Sequence, residues 1–175
     1  PALTAKIAAT LDAIAPGRFT LGIGAGGDAA EHDALGMPYG EVGERIAALS
    51  EQVAVARTML SGDPSERLTL TTPGSLNGAA SAPRPGARLR LLIAGDHPSS
   101  ISLAASFADE WVAPAASFAA GLAQLRERER VTGRAKPLVR THLLHQLSAS
   151  ERLIDSPFGR DPQGVLAEAH AAGAD

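Results

Sequence analysis

The sequence predicts an α/β protein whose parallel sheet is built from about four strand–helix units. Two patterns predict it. Amphipathic helical stretches alternate with short apolar strands along the whole chain, and the first two strands each run straight into a glycine-rich loop. Composition agrees, because 45% of the 175 residues are hydrophobic and these are mostly Ala, Leu, Val and Ile, with only six aromatics. Such a chain favours helices.

Leu3, Ile7, Leu11 and Ile14 recur at three- and four-residue steps, the helical period, so a helix opens the chain. With no initiator methionine ahead of it, the sequence reads as one entered midway. Pro16-Gly17 stops that helix, and Phe19 to Ile23 reads as a short buried strand. Behind it, "FTLGIGAGGDAAEHDALG" holds five glycines in eighteen positions, 19 to 36. From Glu41 to about Leu60 the stripe Val42, Ile46, Leu49, Val53, Ala56 and Leu60 marks a long amphipathic helix, ended by Gly62.

Residues 63–88 cluster Pro, Gly, Ser and Ala and read as an irregular excursion with at most a small hairpin. Next, "LRLLIAG", 89–95, is a near-continuous apolar run of the kind found in strands covered on both faces. Pro98 starts a helix that turns Ile101, Ala104, Ala105 and Ala108 inward, and "DEWVAP" follows as a strand. A helix over 116–132 presents Phe118, Leu122 and Leu125 on one side. A strand over 138–147 and a helix over 162–172, capped by Gly173, complete the order. Helical crossovers between strands imply parallel pairing, and ligands in such sheets sit at the strands' C-terminal ends, where both glycine loops lie.

The net charge of −3 and the lack of a Lys/Arg stripe argue against a nucleic-acid partner. The mixed run Arg126-Glu127-Arg128-Glu129-Arg130 reads as a solvated helix face. Without cysteine, disulfides, thiolate nucleophiles and sulfur-ligated metals are excluded. No apolar stretch reaches the roughly 18 residues of a membrane span and no signal peptide is visible, so a cytoplasmic location without membrane contact is expected. His142 and His145 stand three apart, which on a strand sends them to opposite faces, and no carboxylate–histidine spacing makes a metal site.

Gly22, Gly24 and Gly27 satisfy G-x-G-x-x-G, but a dinucleotide fold wants an acid at the tip of the next strand, about 20 residues on. Glu44 has the spacing and lies inside the long helix. The nicotinamide-nucleotide (NAD or NADP) reading is therefore the weakest of three.

A resemblance covers far more of the chain. "AATLDAIAPGRFTLGIGAGGDAAEHDALGMPYGEVGERIAALSEQVAVARTMLSGD", residues 8–63, resembles the segment of the bacterial luciferase-like monooxygenase family around its fourth barrel strand. "RLLIAGDHPSSISLAASFADEW", 90–111, is similar to that family's fifth strand, phosphate loop, helix and start of the sixth strand; "GRDPQGVLAEAHAAGAD", 159–175, is similar to the helix before its last strand. The resemblance implies a (β/α)₈ barrel that binds FMN or the 8-hydroxy-5-deazaflavin coenzyme F-420 and moves hydride equivalents on a small-molecule substrate.

It also implies the cofactor-binding candidates: Gly26, Gly27 and Asp28 in the first loop, and Gly95, Asp96, His97, Ser99 and Ser100 in the second. Glycine at 95 lets backbone approach an anion, amides near a helix N-terminus point at it, and the two serines add hydroxyl donors. The family places small residues and glycine where Asp96 and His97 stand. Asp96 repels a phosphate unless it turns away, and His97 would offset it as a cation. Gly27 stands where many members carry Trp. Glu31 and His32 read as surface or loop-anchoring residues, Arg18 sits at the opposite strand end, and Trp111 reads as core. No catalytic acid or base is assigned.

A full barrel takes about 250 residues. Four strands are readable, by resemblance the fourth to the seventh, so residues 1–175 are expected to form a single partial TIM (β/α)₈ barrel domain. Two unpaired edges would remain, to be covered by self-association. Function is then expected to be that of a truncated luciferase-like oxidoreductase that keeps the phosphate-binding loops and is inactive alone. The alternatives are a non-enzymatic half-barrel interaction module and the NAD(P)-binding domain.

Overall fold

The computed structural model describes residues 1–60, 89–133, 139–143 and 155–175. The excursion, Gly62, His145 and the far end of the fourth strand lie outside these residues. The order is α1 (Ala2–Ile14), β1 (Thr20–Gly24), α2 (Ala29–Ala34), α3 (Val42–Leu60), β2 (Arg90–Ala94), α4 (Pro98–Phe107), β3 (Glu110–Pro114), α5 (Ala115–Thr132), β4 (Val139–Leu143), α6 (Pro157–Arg160) and α7 (Pro162–Ala171). The strands form one sheet in the order β1-β2-β3-β4. β3 and β4 run parallel, Trp111 opposite Arg140. A parallel α/β architecture of strand–helix units, the partial barrel expected from sequence, is the result.

The chain divides into two compact units, Pro1–Leu92 and Ile93–Asp175. In the first, α1 packs on α3, and α3 on β1. α1 turns its small side inward: Ala5, Ala8 and Ala9 are at most 1% exposed. Leu3, Ile7, Leu11 and Ile14, which reveal the helix in sequence, lie on its outer face. Alanine lets two helix backbones approach closely, so the inner stripe is set by size. Asp12 is buried with them, and its Oδ1 accepts the Gly17 amide at 3.1 Å, fixing the turn into β1. On α3 the buried side runs through Leu49, Val53, Ala56 and Leu60, whereas Val42 is exposed.

In the second unit α4 and α5 pack on each other and on β3. Ile101, Ala104, Ala105 and Ala108 are buried, as their spacing requires, together with Phe118, Leu122 and Leu125. Trp111 is completely buried and stacks on Phe118, with centroids 5.3 Å apart and 21° between planes. Trp111 and Ala113 face this helical layer from β3. On β2, Leu91 and Ile93 are buried whereas Leu92 and Ala94 are half-buried, so the near-continuous apolar run is not fully covered on its second face.

One expectation fails in α5. Glu127 and Arg130 form the solvated pair expected, at 2.7 Å. The Arg130 hydrogen bond and charge hold the Glu127 carboxyl below its ordinary range, and Glu127 raises the guanidinium in turn. Glu129 is different: its carboxylate bonds Arg140 of β4 at 2.9 Å, and the two side chains are only 11% and 14% exposed. Position 129 continues the buried row 118, 122, 125, which brings it under β4. At the end of the chain, the Asp175 amide donates to the Arg140 carbonyl at 2.9 Å and its carboxylate accepts the Arg140 amide at 2.7 Å.

Candidate functional site

The first loop leaves the C-terminal end of β1. Gly26 has φ +79°, a left-handed conformation that favours glycine. Gly26, Gly27 and Asp28 are exposed. Asp28 caps α2: its Oδ1 accepts the amides of Ala30 at 2.8 Å and Glu31 at 3.4 Å. A carboxylate already satisfies this first turn, so its electrostatic role is internal.

The loop is then folded back on itself by side chains. His32 Nδ1 lies 2.8 Å from the Asp28 carbonyl oxygen, and its ring meets Tyr39 edge-on at 5.0 Å. The Arg45 guanidinium lies 3.9 Å above the Tyr39 ring and donates to the Gly40 carbonyl at 2.9 Å. His32 is thus the loop anchor its position suggests. Glu44 accepts the Glu41 amide at 2.9 Å and closes the start of α3.

The second loop leaves the C-terminal end of β2. Gly95 has φ +132°, and a Cβ there would stand 3.3 Å from Ser100 Cβ and Oγ. Its amide donates to Val112 at 3.0 Å and its carbonyl accepts the Trp111 indole N–H at 2.9 Å, so β3 holds both of its main-chain groups. Ser100 is buried against Gly95, Ser99 is half-buried, and Asp96 and His97 are exposed.

His97 is the N-cap of α4, its Nδ1 accepting the Ser99 amide at 3.2 Å. Only an unprotonated Nδ1 can accept, so in this arrangement the ring is not the cation the sequence suggests. The His97 cap was not legible from spacing alone. A His directly before Pro-Ser-Ser at a helix start was the available signal for His97.

Each of the two loops leaves the C-terminal end of its strand through a positive-φ glycine, the end at which α/β proteins ordinarily hold their ligands. The luciferase-like monooxygenase family model matches residues 1–152, and the chain belongs to that family. The F420-dependent glucose-6-phosphate dehydrogenase of Beutenbergia cavernae is 34% identical over 113 residues, covering 64% of this chain and 32% of the relative. The pyrimidine monooxygenase RutA of Methylorubrum populi is 29% identical over 145 residues, covering 77% and 37%.

Among solved structures, an F420-dependent secondary alcohol dehydrogenase in complex with an F420-acetone adduct aligns with TM-score 0.66 and 25% identity. The match spans 82% of this chain and 44% of that one. The aligned part of this chain spans about a third of the length of these curated relatives. Among the described residues no helix is long and apolar enough to cross a membrane.

Proposed function

We propose that the chain serves a hydride-transferring oxidoreductase that uses reduced FMN or the deazaflavin coenzyme F-420, with the loop Gly95–Ser100 receiving the cofactor's phosphate. The observation that carries this is Gly95: its φ of +132° strains any side chain, and a Cβ would press on Ser100 at 3.3 Å where the strand meets α4. A backbone cradle at a helix N-terminus suits an anion. The residues fit the group in part. Pro98 has no amide proton and the Ser99 amide is held by His97, which leaves the amides of Asp96, His97 and Ser100 as donors. Bound there, the cofactor supplies the hydride step and the chain positions it.

Likeness to F420-dependent dehydrogenases supports the deazaflavin and likeness to a pyrimidine monooxygenase supports oxygen chemistry, so the proposal keeps both cofactors. The substrate is a small molecule in either case.

Calorimetric titration of the chain with FMN and with F-420 tests the reading. Saturable binding is expected, weakened at least tenfold by Gly95→Val. The β-branched side chain is strained at this φ and meets Ser100. Heat-free titrations with both ligands would remove the proposal.

His97 supplies a second expectation. A phosphate that takes the Ser99 amide must displace the imidazole, so His97→Ala should tighten FMN binding by about two- to tenfold, the worth of one hydrogen bond. The free protein should lose about 1 kcal/mol in urea unfolding as the cap disappears. Weaker FMN binding in His97→Ala would show instead that the imidazole itself holds the anion.

A further inference from the structure

The main chain of Gly95 is anchored on two sides. Its amide donates to the Val112 carbonyl at 3.0 Å, and its carbonyl accepts the Trp111 indole N–H at 2.9 Å. All three residues lie in the unit Ile93–Asp175, as does the loop they support. The peptide that joins Gly95 to Asp96 is planar and trans, so its carbonyl and its N–H point in opposite directions. With the carbonyl turned to the buried indole, the Asp96 N–H is turned out of the core.

That orientation is one of two. Glycine tolerates backbone conformations of either φ sign, so the peptide after Gly95, at φ +132°, could also lie turned over with its oxygen outward. An outward oxygen repels an anion, whereas an outward N–H attracts one. The indole selects the second state, because a buried indole N–H needs an acceptor and the Gly95 carbonyl supplies it. Trp111 is itself immobilised. It is completely buried, stacks on Phe118 at 5.3 Å and lies so close under Gly121 that a Cβ there would stand 2.9 Å from the ring.

We propose that Trp111 is a positioning residue for the phosphate of the cofactor: its indole N–H latches the Gly95–Asp96 peptide so that the Asp96 amide faces the anion. The inference rests on the cofactor reading above and adds a residue to it, one that touches the loop and not the ligand. A phosphate that accepts the Asp96 N–H polarises the peptide and makes its carbonyl a better acceptor, so the indole bond tightens when the anion binds.

Proton–nitrogen NMR of the ¹⁵N-tryptophan-labelled chain tests this, since a single tryptophan gives a single indole N–H resonance. The probes are FMN and F-420, each beside its phosphate-free counterpart, riboflavin and 8-hydroxy-5-deazariboflavin. The phosphorylated cofactor is expected to move the indole proton downfield, and the phosphate-free compound to leave it in place.

Trp111→Phe keeps an aromatic ring against Phe118 and removes the donor. It should weaken the phosphorylated cofactor by about two- to tenfold and leave the affinity for the phosphate-free compound unchanged. Should this variant fail to fold, the indole resonance of the parent decides alone.

A phosphorylated cofactor that binds without moving the indole proton overturns the inference and leaves the cofactor reading standing. Equal loss of both compounds in a folded Trp111→Phe is the signature of packing and overturns it as well. Absence of binding by both FMN and F-420 removes the two readings together.

Discussion

Replacing Gly121 by valine is expected to destabilise the protein by about 3 kcal/mol, although glycine in the middle of a helix is ordinarily a weakness worth about 1 kcal/mol relative to alanine. The reason is the indole beneath it. A Cβ at 121 would stand 2.9 Å from Cη2 and from Cζ2 of Trp111 and 3.6 Å from Ile101 Cδ1. Trp111 cannot retreat, being completely buried, stacked on Phe118 and bonded through its indole nitrogen to Gly95.

The alanine variant separates the two effects. Helix propensity favours it by about 1 kcal/mol and overpacking opposes it by about 1–3 kcal/mol, so a smaller net loss is expected. Urea unfolding followed by circular dichroism measures both. A Gly121→Ala protein more stable than the parent would show that the helix, and not the indole, sets the residue at 121.

Replacing Glu129 by alanine is expected to cost a comparable amount, about 3 kcal/mol, the lower end for breaking a buried ion pair. Arg140 would keep its charge with its side chain only 14% exposed, and its Nε already lacks a partner. Asp175, 4.0 Å from the guanidinium, is a weaker substitute.

The double variant Glu129→Met, Arg140→Met is the discriminating measurement. Removing both charges spares their desolvation, so the pair of apolar side chains should recover most of the loss. If Glu129→Ala unfolds at the parent's urea concentration, the contact contributes no more than an exposed pair and the burial argument fails.

The elements were legible wherever period and punctuation agreed. Phe118, Leu122 and Leu125 repeat on one face and are buried as a row, and Gly173, with φ +94°, stands just past the helix it was expected to cap. Hydrophobic size misleads on α1, where the large side chains lie outside and alanines inside; period reveals a helix but not which of its faces packs closely. Glu129 fails for the same reason in reverse. Charge pattern alone places it in solvent, and only the partner Arg140, eleven residues on and on another element, explains its burial.

In the candidate site, the glycines announced themselves through spacing. The direction of each histidine's hydrogen bond did not. Whether an imidazole donates or accepts depends on a main-chain group four residues before it, for His32, or two after it, for His97. α6 also went unforeseen, a single turn begun by the Ser156 cap and Pro157 and too short for any periodicity.

The hydrogen bond from Trp111 to the Gly95 carbonyl gives the protein an optical reporter of its own. Trp111 is the sole tryptophan in the chain, so all indole emission comes from a chromophore sealed in the core at one end and tied to the loop at the other. Strain at Gly95 reaches that indole through one 2.9 Å contact. The ultraviolet glow of an unlabelled sample should therefore register what happens at the strand tip.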